Sequence, residues 1–357
     1  MALFDMVFEG GGAKGSAFVG ALRALKQQGH QTRRLVGTSA GAITATLVAA
    51  GYSPEEMLDA VNERLDGKPR FASFMDVPHE SDFTEAERSA SETMRALQTA
   101  HLPGFAKEAV LRALLGSPIY PQLFCFVECG GVFAGVKFVD WLVEKLAAKG
   151  LSATDTLASM FEKKRVDLTL VVSDTTDGEM LMLNHRTAPK VPVVWAVRMS
   201  MSIPFVWREV EWQDAWGLYL GRSKTNHAIV DGGVLSNFPI RLIADPVPDI
   251  MGTTDPAGAL NLGLLLDETL AVPGMDATVP PKPINQLKVV QRVSRLIDTM
   301  MGAQDNDEIR RHATEVCRLP VRGYGTTEFD MPDAKMKALV DAGHNTTVQH
   351  LRSRGLV

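Results

Sequence analysis

The chain has 357 residues, 45% of them apolar, a formal net charge of −5 and three cysteines. That length and apolar content can bury a large core in one large or two moderate domains, while dispersed basic residues exclude a nucleic-acid binder with a concentrated basic face and offer no broad attraction to anionic lipid. Cys125, Cys129 and Cys317 leave at least one thiol unpaired, as suits a reducing compartment, and no His or Cys cluster has ligand spacing, so no metal or cofactor is expected.

Leu3 to Glu9 reads as a first strand, followed by Gly10, Gly11, Gly12, Ala13, Lys14 and Gly15 and then a helix over Ser16 to Gln28. Such a loop exposes backbone N–H groups at the positive end of a helix dipole. Its guest is a nucleotide phosphate, a lipid phosphate or the oxyanion formed when a serine attacks an ester. Gly10, Gly12 and Gly15 also satisfy the dinucleotide spacing Gly-x-Gly-x-x-Gly. That fold wants an acidic residue about 20 positions on, where this chain has Arg33 and Arg34, which suit only a phosphorylated ribose. An NADP-dependent Rossmann oxidoreductase is therefore a competing reading. The phosphate-loop pattern fails because Gly15, not Ser or Thr, follows Lys14.

A short strand around Arg34, Leu35 and Val36 leads into Gly37-Thr38-Ser39-Ala40-Gly41 and an apolar helix from Ala42 to Ala50. A serine at a tight strand-to-helix turn stands clear of the backbone, and Gly37 and Gly41 let neighbouring chain pack close to the bend. Ser39 is thus a candidate nucleophile. Residues 51–135 read as an inserted helical cap, beginning at Ser53 with Pro54 in the first turn. Phe71, Phe74 and Met75 follow, then a charged helix-like run from Thr84 to Thr99 and an apolar stretch from Leu102 to Phe133. Most of that stretch is expected to complete the core, with a minority lining a pocket.

An amphipathic helix is predicted over Val136 to Leu146, and strands over Val166 to Ser173, Val193 to Arg198, Ala228 to Val230 and Leu262 to Leu266. The alternation predicts an α/β fold with a mostly parallel sheet and helices on both faces. Asp231-Gly232-Gly233 ends one of these strands. Asp231 can meet Ser39 if a parallel sheet brings both strand ends to one edge. Asp267 to Ile284 reads as an exposed connection, with helices at Ile284 to Met301 and Met331 to Arg354; this tail either covers the active-site mouth or makes a homodimer.

The glycine loop, the turn at Ser39, the stretch Ala196-Val197-Arg198-Met199-Ser200-Met201-Ser202-Ile203-Pro204, and Asp231-Gly232-Gly233 with Asn237 and Pro239 together resemble the patatin-like phospholipase family of lipid acyl hydrolases. The resemblance covers about residues 3–267. It implies a three-layer α/β/α sandwich, a Ser39–Asp231 catalytic dyad, an oxyanion hole from the backbone of Gly10, Gly11 and Gly12, and a phospholipid or other lipid ester as substrate. Gly232 and Gly233 would support the acid. Met199 and Met201 are bulkier than usual in relatives and would narrow the acyl pocket. The histidines hold no spacing that singles one out for a triad. The chain divides on this reading into a catalytic domain, residues 1–267 with the cap at about 51–135, and a linker with a C-terminal helical extension, residues 268–357, packing on it. Asp5 and Glu9 interrupt the apolar start and no apolar run reaches about 20 residues, so a cytoplasmic protein with at most peripheral membrane contact is expected. A non-catalytic lipid-binding protein is the third reading.

Overall fold

The structure is a computed structural model that describes residues 1–79, 82–83, 91–92, 95, 99, 103, 120–252, 258–275, 305–326 and 328–357. The expected helices at Thr84 to Thr99 and Ile284 to Met301, and most of the apolar stretch from Leu102, fall outside these residues apart from isolated positions.

Strand β1 (Leu3–Phe8) passes through the glycine loop into α1 (Ser16–Gln27), and β2 (Gln31–Thr38) passes through Ser39 into α2 (Ala40–Ala50). Helix α3 (Pro54–Val61) opens on a capping box between Ser53 and Glu56 with Pro54 in its first turn, which satisfies N–H groups the helix start would otherwise leave unpaired. A short hairpin of β3 (Arg64–Leu65) and β4 (Lys68–Pro69) follows. Helix α4 (Tyr120–Glu128), β5 (Gly131–Phe133), α5 (Val136–Ala148) and α6 (Leu157–Lys164) lead to β6 (Asp167–Asp174) and β7 (Glu179–Leu183). After α7 (Val193–Ser200) come β8 (Phe205–Trp207), β9 (Val210–Glu211), β10 (Ala228–Asp231), β11 (Leu260–Ala271), β12 (Val316–Arg322) and α8 (Asp333–Ser353).

The main sheet runs β12-β11-β1-β2-β6-β10-β9, with β7 also on β6. Its centre is parallel, whereas β7, β10 and β9 pair antiparallel. Residues of successive strands alternate between two cores, because side chains along a strand point to opposite faces. Phe4, Met6, Phe8, Leu35, Leu170 and Val172 join the larger core, and Val7, Val36 and Val171 the smaller one with Phe238, Ile240 and Met251. Helices over both faces give the three-layer α/β/α architecture.

Three expectations require correction. Val193 to Arg198 is helical rather than a strand: the run is short, rich in β-branched valine and almost wholly buried, so its length and composition do not separate helix from strand. Strand β10 is antiparallel to β6. The boundary at residue 267 cuts through β11, and the region beyond it is more than a helical extension, since β12 adds a parallel strand to the sheet. Helix α8 then packs on α1 so closely that a Cβ added to Gly20 would sit 1.9 Å from the Val340 carbonyl oxygen.

Candidate active site

Ser39 and Asp231 come together through the way β6 is shared. Strand β7 occupies one edge of β6, while β2 and β10 approach along the other from opposite ends. Thr38, the last residue of β2, pairs with Val171; Asp231, the last of β10, pairs with Val172. The two strands therefore meet end to end. The expected route, two parallel strands ending at a common edge, gives way to a head-on encounter in mid-sheet.

Ser39 has φ 53° and ψ −119°, a left-handed conformation that a side chain adopts only under constraint. The constraint is crowding. A Cβ on Gly37 would lie 2.3 Å from the Gly41 oxygen, and one on Gly41 would lie 2.1 Å from the Phe8 oxygen. Gly41→Ala is expected to destabilise the protein by at least the ~1–3 kcal/mol typical of overpacking, read as a lowered Tm; a wild-type Tm would show that the turn has room.

The strained turn is also tied from α7. The Ser39 N–H donates to Ser200 Oγ at 3.0 Å, and Ser200 Oγ donates onward to the Val171 oxygen at 2.7 Å. Ser200→Ala should leave a buried N–H without its acceptor and cost ~1–3 kcal/mol, with a fall in turnover as the turn loosens. Unchanged thermal stability and turnover would remove Ser200 from this role.

Asp231 is 1% exposed. Its Oδ1 accepts the Gly233 N–H at 2.8 Å, and its Oδ2 has no full hydrogen bond. Burial pushes its pKa up to about 7, against the opposing pull of the Ser39 hydroxyl and the Gly233 N–H. Gly232 is pressed against the Val171 oxygen, 2.3 Å from where a Cβ would stand.

The glycine loop lies over Ser39, with the Cβ position of Gly10 only 3.1 Å from Ser39 Cβ. The Gly10 N–H is committed to the Asn237 carbonyl at 3.1 Å. Of the expected trio, Gly10 is thus engaged in holding the loop, whereas the N–H groups of Gly11 and Gly12 have no partner among the described residues. Gly12 needs its freedom, having φ 55° and the Thr326 oxygen 2.0 Å from its Cβ position. Asn237 Nδ2 bonds both the Gly10 oxygen at 3.0 Å and Glu9 Oε1 at 3.1 Å, and Asp305 accepts the Asn237 and Phe238 N–H groups. Burial pushes the Glu9 pKa up to about 8.

Ser39 and Gly12 line a pocket of about 790 Å³ of atom-free space, part of it open to solvent. Leu47, Met57, Phe74, Phe138, Trp141 and Ile203 make much of its wall. Met201 lines it as well, but Met199 does not. Phe124 packs instead on Phe83 at 4.8 Å between ring centres.

None of the described histidines lines this pocket. His227 bonds Asp174 at 2.8 Å rather than Asp231, and His185 stacks on Phe161. Asp174, Asp177 and His227 converge closely enough to hold a cation, but the buried Lys224 ammonium already bonds Asp174 and Asp177 at 2.8 and 2.6 Å. Arg33 is forked onto Asp5 at 2.9 and 2.7 Å, and Arg34 lies 3.5 Å from Asp167. Both face the opposite end of the sheet from the glycine loop, which removes the basis for a phosphorylated-ribose site. Two contributors had no signal in the sequence: Thr326, whose oxygen accepts the Ala13 N–H at 2.9 Å, and Phe329 on the pocket wall. Ser200 and Asn237 stand within the stretches noticed earlier, without a role.

No helix among the described residues is long and apolar enough to cross a membrane. The chain is 28% identical over 356 residues to the uncharacterized protein YqhO of Bacillus subtilis, covering 98% of each. It is 20% identical over 235 residues to the probable lipid hydrolase 463L of invertebrate iridescent virus 6, covering 66% of this chain and 61% of that one. Among solved structures, VipD of Legionella pneumophila is similar with a TM-score of 0.45 and 18% identity over 99% of this chain and 67% of that chain. The type III effector ExoU gives a TM-score of 0.41 and 17% identity, over 100% of this chain and 54% of its own. The residue pattern of the patatin-like phospholipase family matches residues 6–244, more than half of the sequence, and the chain belongs to that family of lipid hydrolases.

Proposed function

We propose that the protein is a serine lipid acyl hydrolase that cleaves carboxylic esters of glycerophospholipids or related lipids through a Ser39–Asp231 dyad. The observation that carries this reading is the end-to-end approach of β2 and β10, which sets a strained serine toward a buried carboxylate, next to a loop whose Gly11 and Gly12 N–H groups have no partner among the described residues. The Asp231 carboxylate takes the hydroxyl proton as Ser39 Oγ bonds the ester carbon. The carbonyl oxygen becomes an oxyanion received by the Gly11 and Gly12 N–H groups. Collapse breaks the ester C–O bond, the proton passes to the departing alcohol, and an acyl-enzyme remains. Water, deprotonated by Asp231, then releases the acid and restores Ser39.

Asp231 suits a base near neutral pH because burial has lifted its pKa to about 7, far closer to the working range than an ordinary carboxyl. The apolar wall suits an acyl chain. Contact with a membrane would be peripheral and the setting cytoplasmic, with no cofactor in the reaction. Mixed glycerophospholipids incubated with the protein should release free fatty acid and lysophospholipid, read by mass spectrometry. Release equal to that of the Ser39→Ala protein would refute this function.

A further inference from the structure

A second pocket of about 390 Å³ adjoins the first. The two share Ala13, Ser16, Val61, Phe71 and Phe329, so they are continuous just beyond the glycine loop. Their linings differ in kind. Among the described residues the first has no charged side chain on its wall, whereas the second adds Asn62, Arg64, Glu328 and Asp333. Much of it is built by chain between β12 and α8, outside the residues matched by the family. That segment is fixed to the site: the Thr326 oxygen holds the Ala13 N–H, and the Phe329 ring packs 6.1 Å from Trp207.

The charges in this pocket are of two kinds. Glu328 is already neutralised, since Lys335 Nζ bonds its two oxygens at 2.6 and 2.7 Å and the Gly325 N–H adds a third bond at 3.0 Å. Arg64 and Asp333 pair with each other at the rim, with side chains 45% and 80% exposed. An exposed pair of this sort contributes under ~1 kcal/mol and opens readily. A ligand carrying both a phosphate and a cationic amine exchanges that one pair for two, and leaves no net charge behind. Phe71 and Phe329 stand on the shared wall, where an aromatic ring can meet a quaternary ammonium. A net-anionic headgroup would engage Arg64 alone and leave Asp333 to solvent.

We infer that the second pocket is the alcohol-side subsite for a zwitterionic phospholipid, its phosphate turned to Arg64 and its choline or ethanolamine to Asp333. The inference rests on the hydrolase reading for its geometry, with the acyl chain in the first pocket, the carbonyl at Ser39 and the glycerophosphate portion crossing past Ala13 and Ser16.

The test compares phosphatidylcholine with p-nitrophenyl butyrate, an ester without a headgroup, in the wild type and in Arg64→Gln and Asp333→Asn. The ratio of kcat/KM for the two substrates should fall about tenfold in Arg64→Gln, through a higher KM for phosphatidylcholine. In the Ser39→Ala background, calorimetric titration with glycerophosphocholine should give saturable millimolar binding that Arg64→Gln abolishes. A wild-type ratio in both variants overturns the subsite while leaving the hydrolase reading intact. Turnover of neither ester, with Arg64-dependent glycerophosphocholine binding, rejects the hydrolase and the alcohol-side role with it, and upholds only headgroup binding at Arg64. Absence of both turnover and binding overturns the two together.

Discussion

Ser39→Ala is expected to lower ester turnover by about a thousandfold or more while leaving the fold intact. The side chain removed is small, and the features that hold the turn are backbone ones: the crowded glycines at 37 and 41 and the N–H bond to Ser200. An alanine at a φ of 53° is itself strained, but the serine already bears the same strain. Circular dichroism and Tm should match the wild type. A folded Ser39→Ala protein that still releases fatty acid at the wild-type rate would show that another group attacks the ester.

Asp231→Asn is expected to cost a similar factor in turnover and yet to stabilise the protein at alkaline pH. The base must be ionised, so wild-type kcat/KM should rise with pH through about 7 and level off above it. Stability runs the other way. The native carboxyl holds its proton up to about pH 7, whereas the unfolded one loses it near ~3.9. A carboxyl with a raised native pKa gives its full contribution below ~pH 4, and that contribution is lost as pH rises to 7. The loss is on the order of 4 kcal/mol. An asparagine has no proton to lose and can still accept the Gly233 N–H. The Tm of Asp231→Asn relative to wild type should therefore climb between pH 4 and pH 8. Glu9, raised to about 8, titrates in both proteins and cancels from the difference. A constant Tm gap across that range would place Asp231 in water.

The β1–loop–α1 and β2–turn–α2 units were legible because local chemistry dictates them. Glycines at 12, 37 and 41 mark places where backbone approaches backbone too closely for a side chain, those at 10 and 11 are crowded by the side chains of Asn237 and Leu266, and the apolar runs either side have strand and helix lengths. Ser39 and Asp231 stood out as candidates for the same reason. Their route to each other was not legible, because strand direction is a property of the whole sheet. Nothing in Ala228 to Asp231 states that the segment runs antiparallel to β6 and stops against Thr38.

Burial hid α7 as well. A short helix that is buried on nearly every side and rich in valine reads as a strand, and its Ser200 drew no notice as an anchor for the turn. Strand β12 was obscured by Arg318 and Pro320, which interrupt its apolar pattern. Its position at the end of the sheet order explains why a proline is tolerated there. Thr326 acts through its carbonyl oxygen, which any residue could supply, so no side-chain pattern could have identified it.

The central claim is that Asp231 activates Ser39. The rate at which a fluorophosphonate acylates Ser39, followed by peptide mapping from pH 5 to pH 9, tests it most directly. The wild-type rate should rise through about pH 7 and the Asp231→Asn rate should be lower by orders of magnitude and flat with pH. Labelling of Ser39 in Asp231→Asn at the wild-type rate, or labelling of a different residue in the wild type, would contradict the account.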